Sequence, residues 1–448
     1  MTTALLMILA TLPPVAHAWF VQRHRGLFNV DAIFVWFQWT MAVGAVLVVD
    51  LDEPLAARFL VLSILPLAIY CLTSFVLFWR STRTDGERET HPRGGRVLPM
   101  TGVEMRWAWG IFLVSAVITI AYFVAVGYNV FLLGIRGLFT GETFDYTTLR
   151  LESYAPSRYL FPGYVNQFRN VLLPATALAL AWNAYRDRHR LRHVLAAFFG
   201  AASLVSLMGT GQRGAFVLFL LVTIVFLRWA IALRFGRPLL IGALVAVPAL
   251  FFATLLLGRS QADIEEGGSR FGAVATIGQE LLERFFIVNQ RSGYDAVIFI
   301  QDRSTVWGQE WLQGIAGLTP WSSGSPLAKQ VFEHLYGSDR GTSPITLWGS
   351  VYYNFWWWGV VLVPILLALA TAWLVRRIER TPSTSALESV GMAGVTIVLG
   401  TWVAGAPDQM VNNGLVAFAV LWWVGARLRV GESPLAVLST IRRGWRRS

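Results

Sequence analysis

Charge is what this sequence has least of. Charged residues make up 14% of its 448 positions, against about 25% in a soluble domain, while 55% of the chain is hydrophobic and its mean hydropathy is +0.54. That balance excludes a water-soluble globular protein and implies a polytopic membrane protein. Cysteine occurs once, at Cys71, which rules out an intramolecular disulfide and a cysteine metal cluster. Lysine also occurs once, at Lys329, so every other basic side chain is arginine. Walker, kinase and HExxH motifs are missing, as are Cys/His ligand spacings, and no Gly-x-Gly-x-x-Gly follows a strand pattern. Nucleotide-driven chemistry, a bound metal and a cofactor are therefore not expected.

What the chain has in abundance is apolar runs. A spanning helix needs about 20 mostly apolar residues. Eleven such spans are predicted, at roughly 3–20, 30–49, 59–79, 107–134, 170–185, 193–209, 214–233, 238–257, 345–375, 386–405 and 413–428. The ninth is too long for one straight span, and Ser343-Pro344-Ile345-Thr346 at its start suggests an interfacial or partly re-entrant turn. The 136–165 stretch, rich in Gly, Pro and aromatics, suggests another. No Lys or Arg precedes the apolar run Leu5 to Leu12, so a basic signal-peptide region is missing and the run reads as an uncleaved first span. Twenty Trp and 29 Phe suit a protein with many interfacial anchors.

The basic residues then predict an orientation. If all eleven spans cross, alternate loops and the C-terminal tail hold 24 of the 37 basic residues with 9 carboxylates, a net +15 on one side, against −4 on the other. The positive-inside rule makes the +15 side cytoplasmic, with the N-terminus outside and the C-terminus inside. The net charge of +11 is thus a topology signal, and nucleic acid is not an expected partner; the lipid bilayer is. The chain divides into helices 1–8 over 1–257 with a Gly/Arg-rich cytoplasmic loop at 80–106, one large extracytoplasmic loop at 258–342, helices 9–11 over 343–430, and a basic cytoplasmic tail at 431–448.

The large loop contains the one long polar segment, 82 residues from Gly258 to Asp339, and its chemistry would take place where water meets the bilayer. Outward arginines break the topological bias and need another reason. Arg213 sits in Gly209-Thr210-Gly211-Gln212-Arg213-Gly214, where glycines permit close backbone approach and a helix N-terminus favours an anion. A guanidinium there suits a lipid-linked pyrophosphate, although a snorkelling arginine that caps the loop fits equally. Arg158 and Arg169 flank Phe161-Pro162-Gly163-Tyr164. Arg284 and Arg291 lie seven apart, two turns on one face of an α-helix. Arg259 follows the eighth span and Arg340 precedes the ninth. Each alone reads as a structural ion pair, but together they suit a polyanionic head group. His334 is the one histidine expected outside. The outer carboxylates Glu280, Glu283, Asp295, Asp302, Glu310, Asp339 and Asp408 are candidate bases or merely solvated loop charges, and no spacing selects a pair. Trp307, Trp311, Trp321, Trp348 and Tyr352 offer faces for sugar stacking or for an interfacial belt; Trp356-Trp357-Trp358 reads as belt.

Over roughly 165–430 the chain resembles the Wzy-type oligosaccharide repeat-unit polymerases, which include the O-antigen and enterobacterial common antigen polymerases. The resemblance rests on Arg169-Asn170-Val171-Leu172-Leu173-Pro174-Ala175, on the Gly-Thr-Gly-Gln-Arg-Gly turn at 209–214, and on Asn289-Gln290-Arg291-Ser292. It continues in Gly308 to Pro320, in Gly341-Thr342-Ser343-Pro344 leading to Gly349-Ser350-Val351-Tyr352-Tyr353-Asn354-Phe355, and in Asp408 within a short outer loop. Many relatives carry Glu where this chain has Ser350, so no role passes to that position. The resemblance implies an all-α, GT-C-like lipid-sugar transferase of the bacterial cytoplasmic membrane. It would use undecaprenyl-pyrophosphate-linked oligosaccharide as donor and acceptor, without metal, and would have a chain-length regulator as a candidate partner. Arg213 and Arg291 match the family's arginine positions and would bind the pyrophosphate; Asp408 and His334 are the other candidate catalytic residues. Arg169, Arg259, Arg340, Arg158, Arg284, Trp311 and Tyr352 are candidate substrate-binding residues. A ligase that moves glycan to another lipid, a lipid-linked oligosaccharide flippase, and a non-catalytic scaffold remain alternatives.

Overall fold

The computed structural model describes residues 2–85, 97–140, 142, 144–145, 149, 162–187, 190–231, 279, 283–319, 327–337, 342–381 and 383–429. In chain order the helices are α1 (Thr2–Arg25), α2 (Val30–Val48), α3 (Ala56–Asp85), α4 (Gly102–Val126) and α5 (Val130–Thr140). α6 (Leu173–Arg186) follows a π-helical turn at Gln167–Leu172, and α7 (Arg192–Met208) and α8 (Arg213–Ile231) come next. A second π-helical turn, Arg284–Val288, leads into α9 (Asn289–Ile300). Then come α10 (Gln309–Ala316), α11 (Leu327–Tyr336), α12 (Leu347–Glu379), α13 (Ala386–Gly400), α14 (Asp408–Asn412) and α15 (Leu415–Arg429). Among the described residues the only sheet is a two-residue parallel pairing of Val97–Leu98 with Thr384–Ser385. The chain is an all-α membrane protein.

Six of the described helices are long and apolar enough to cross a membrane: α1, α2, α3, α4, α8 and α12. The spans expected at 193–209, 386–405 and 413–428 fall on helices of 17, 15 and 15 residues, shorter than a full crossing of about 20; that at 170–185 falls in an unbroken helical run from Pro162 to Arg186 whose middle turn is π-helical. The span expected at 238–257 lies outside the described residues, as do residues 86–96 of the 80–106 loop, residues 258–278 and the basic tail. The fourth expected span, 107–134, is two helices. α4 ends at Gly127, whose φ of 88° is a left-handed stop that glycine adopts without Cβ strain. α12 is broken at Trp356, with φ 53° and ψ −151°.

The described chain forms two compact units. The first holds α1–α3, α9–α12 and most of α14. Its interior is tied by a polar knot. Asp31, in the first turn of α2, accepts from His17 Nε2 (3.2 Å), Ser74 Oγ (2.8 Å) and Tyr70 OH (2.8 Å), and Tyr70 OH also bonds Thr371 Oγ1 of α12 (2.7 Å). The imidazole tautomer follows from its neighbours. Trp36 Nε1 can only donate and gives its hydrogen to Gln22 Oε1 (2.9 Å), so the Gln22 amide nitrogen faces His17 Nδ1 (3.0 Å). Nδ1 is therefore an acceptor and the proton resides on Nε2, directed at Asp31. Four helices meet at one carboxylate, and apolar packing surrounds it, with Phe34, Leu67 and Ala368 fully buried. Gly44 lets the Phe286 backbone approach α2 where any Cβ would overlap the Phe286 carbonyl.

The second unit holds α4–α8, most of α13 and α15. Glycines at 391, 394 and 425 bring α13 and α15 into backbone contact; a Cβ at Gly394 would overlap the Phe418 ring, and one at Gly425 would overlap the Glu388 backbone. Arg429 Nε lies 3.2 Å from Glu388 Oε2.

Removing the acceptor at the centre of the first unit strands three buried donors on two helices, α1 and α3. Asp31→Ala is expected to cost about 3–5 kcal/mol, and Asp31→Asn less, since it keeps one acceptor oxygen. Unfolding in detergent micelles measures both; equal, small losses would show that the knot does not hold these helices together.

Candidate functional site: a buried carboxylate pair

The residues that converge in the first unit are two carboxylates and the aromatics beside them. The chain approaches α10 through Trp307 and Gly308, both left-handed (φ 50° and 86°). Gly308 accommodates that backbone, whereas Trp307 is strained in it. Val306 N donates to Tyr353 O (3.3 Å), which seats this turn against α12. The turn delivers Glu310 to the interior, only 3% exposed. Glu310 Oε2 accepts from Asn354 Nδ2 (2.8 Å) and Ser350 Oγ (3.1 Å), and Oε1 from the Leu327 backbone N–H that opens α11 (3.3 Å). Ser350 and Asn354 are four apart on α12, so they present donors from one helix face. Trp311 Nε1 donates to Ser350 Oγ (2.9 Å). This commits the serine hydroxyl hydrogen to Glu310. The Trp311 ring packs edge-on against Phe355 (5.0 Å) and tilts against Trp402 (6.3 Å).

Asp408 is the second carboxylate, 6% exposed. Its segment is fixed by strand-like bonds to the start of α12: Leu347 N to Val403 O and Gly405 N to Ile345 O, both 2.9 Å. It lies over Gly314, one turn beyond Glu310 on α10; a Cβ on that glycine would stand 3.0 Å from Asp408 Oδ1. Oδ1 is buried and has no hydrogen-bond partner among the described residues.

The two acids are held differently. Burial raises the Glu310 carboxyl above its usual range, and the donors Asn354, Leu327 and Ser350 oppose the rise. Burial, and after it the Glu310 charge, pushes Asp408 up to about 6 against the pull of its own and the Gln409 backbone N–H. Both carboxyls are thus raised by burial, Glu310 with three donors opposing the rise and Asp408 with the Glu310 charge adding to it.

The other expected site residues fall as follows. Arg291 is on α9, exposed, with Nη1 3.9 Å from Glu53 Oε1. His334 is exposed on α11 against the Phe299 ring (5.0 Å). Arg284 opens the π-helical turn before α9, so its spacing of seven to Arg291 is not two α-helical turns as expected; its side chain is outside the description. Tyr352 is not an open stacking face. It is 9% exposed, it points away from the Ser350–Asn354 side of α12, and it packs on Trp357 (5.3 Å) under the Arg58 guanidinium (5.9 Å). Trp348 is likewise interior and donates to Gln38 Oε1 (2.8 Å). In the second unit Arg213 begins α8, with its side chain outside the description. Arg169 is fully buried there rather than displayed on a loop. Its Nη2 donates to Asn166 Oδ1 (2.8 Å) and its guanidinium lies 5.0 Å from the Tyr122 ring. Arg158, Arg259, Arg340 and Trp321 lie outside the described residues.

Sequence reasoning placed Glu310 among seven interchangeable carboxylates. The signal for its burial was present but weak: Gly314 four residues on, which leaves room on the same helix face, and a Ser350/Asn354 pair at helical spacing in an apolar run. No protein-family model matches the chain, and no curated protein or solved structure matches it. Fold and site therefore define its class as an all-α membrane protein with a buried carboxylate pair.

A carboxyl that titrates higher in the folded than in the unfolded state holds its proton more tightly when folded. Stability therefore falls as pH rises from the ordinary aspartate value near 4 through about 6, and stays level above. Asp408→Asn removes that slope. It is expected to unfold at higher temperature relative to wild type at pH 7.5 than at pH 4, by up to about 3 kcal/mol. Parallel pH profiles of the two proteins would contradict the assignment.

Proposed function

We propose that this chain is a lipid-linked glycan transferase of the repeat-unit polymerase kind, acting at the outer face of a bacterial cytoplasmic membrane. The observation that carries the reading is the buried pair, with Asp408 raised to about 6 beside the hydrogen-bonded Glu310. Transfer of a glycan to a sugar hydroxyl needs a group to take the hydroxyl proton as the new bond forms, and the sequence left that base unassigned. Asp408 Oδ1 has no hydrogen-bond partner among the described residues, and the carboxyl has an affinity for protons suited to the task. The acceptor oxygen attacks the anomeric carbon, the bond from that carbon to the pyrophosphate oxygen breaks, and the hydroxyl proton passes to Asp408. The pyrophosphate leaves on its lipid, and the Arg291 guanidinium stabilises its charge. Trp311 offers an indole edge beside the acid pair. The growing chain passes from its own lipid to the non-reducing end of the incoming unit.

The test uses purified protein in liposomes with an undecaprenyl-pyrophosphate-linked repeat unit and reads the length of the lipid-linked glycan. Wild type is expected to build a ladder, with a rate that rises as pH passes through about 6. Asp408→Asn is expected to slow transfer about 10²–10⁴-fold and to remove that pH dependence, while Arg291→Ala abolishes the ladder with the fold intact. Transport of the lipid-linked unit across the vesicle membrane without any ladder would overturn the reading in favour of a flippase.

A further inference from the structure

α10 is inside out for a helix in water. It buries its one carboxylate, Glu310, and turns Leu312 (68% exposed) and Ile315 (46%) outward. The turn before it holds Trp307 in a strained left-handed backbone with the ring 73% exposed. A helix bordered by water does the reverse. Gln309 and Gln313, one turn apart, form a separate exposed polar edge, so three stripes run along the helix: an inward acid, an outward apolar stripe and a flanking polar one.

The depth of α10 can be counted along α12, on which it packs through Trp311, Ser350 and Phe355. A hydrocarbon core about 30 Å thick takes about 20 residues. Counting 20 back from Arg376, in the basic last turn of α12, reaches Trp356. There the helix breaks, and Trp356 and Trp358 are both exposed, as interfacial aromatics are. Below them an outward stripe of Trp358, Leu362, Leu366, Leu369 and Trp373 follows helical spacing down α12. The part of α12 before Phe355, where α10 is seated, therefore lies at head-group level. The exposed face of α10, with Leu312 and Ile315, is apolar at that level.

We infer that α10 is an interfacial helix lying in the membrane surface, with Trp307, Leu312 and Ile315 in contact with lipid and Gln309 and Gln313 among the head groups. The occupant of this apolar face is the bilayer itself. The segment expected to be the chain's aqueous loop is then partly embedded, and the Glu310–Asp408 pair lies beneath a lipid-contacting helix. The inference concerns the placement of α10 and does not depend on the transfer reaction.

Spin labelling in liposomes tests it. Nitroxides are attached at Leu312→Cys, at Leu362→Cys as a lipid reference and at Glu333→Cys as an aqueous one. The buried Cys71 is replaced by Ala, or left in place where it takes no label. The ratio of collisions with oxygen to collisions with a water-soluble nickel chelate is expected to be as high at 312 as at 362, and several-fold above that at 333. A ratio at 312 equal to that at 333 would show a water-facing helix and sink the inference. Spin–spin broadening at 312 that survives dilution into excess lipid would also overturn it, since a second copy of the chain would then cover the face. Unchanged label mobility at 362 across all samples confirms that the fold is intact.

Discussion

A carboxylate removed from water must be met by donors or must take a proton, and the arrangement of α10, α11 and α12 follows from how Glu310 meets that demand. Desolvating an ionised carboxylate costs several kcal/mol. Three donors oppose that cost, and they come from different places: two side chains of α12 and the first N–H of α11. The last of these also provides for a helix-terminal N–H that would otherwise lack a partner. Trp311 completes the set by taking the Ser350 oxygen as acceptor, which leaves the serine hydrogen for Glu310. Asp408 lacks such a set of donors, so burial raises its carboxyl most, and the neighbouring Glu310 raises it further.

The legible part of the fold is the part set by local composition. Hydropathy located α2, α3, α4, α8 and α12 because a span announces itself through about 20 consecutive residues. The ninth span is too long for one straight helix, and a turn is expected at 343–346, where α12 is capped; the break inside α12, at Trp356, was not placed. Where the reading failed, the deciding residue was single or distant. Gly127 divides the expected fourth span with one left-handed residue inside an apolar run. The π-helical turn at Arg284–Val288 alters the spacing to Arg291 without a compositional mark. Arg169 was read as a loop arginine because arginine is rarely buried; its shelter comes from Asn166 and from the Tyr122 ring 47 positions earlier.

The site was less legible than the fold for the same reason. Glu310, Ser350 and Asp408 are 40 and 58 positions apart, and only Gly314, one turn on, distinguishes the sequence around Glu310 from that around Glu283. Burial is a property of the assembled unit. Helical periodicity would have placed Ser350 and Asn354 on one face of a span, but it does not say which acid they receive. Asp408 was singled out through the resemblance, and the geometry around it gives an independent physical reason for attention.

Two of the acids buried in the first unit, Asp31 and Asp408, have different consequences, and the contrast separates structure from chemistry. Asp31 accepts from three side chains, and the imidazole facing it is fixed in one tautomer by a chain of donors ending at Trp36. Changing its charge would reverse several bonds at once, so the knot suits a permanent tie between α1, α2, α3 and α12. Asp408 has one oxygen that is buried and has no hydrogen-bond partner among the described residues. A folded chain retains such a vacancy against a cost of about 1–3 kcal/mol, and a proton or a hydroxyl donor can fill it without disturbing its neighbours. Of the two acids, the incompletely satisfied one is fitted for exchange, and it sits beside the helix whose outer face is turned toward lipid.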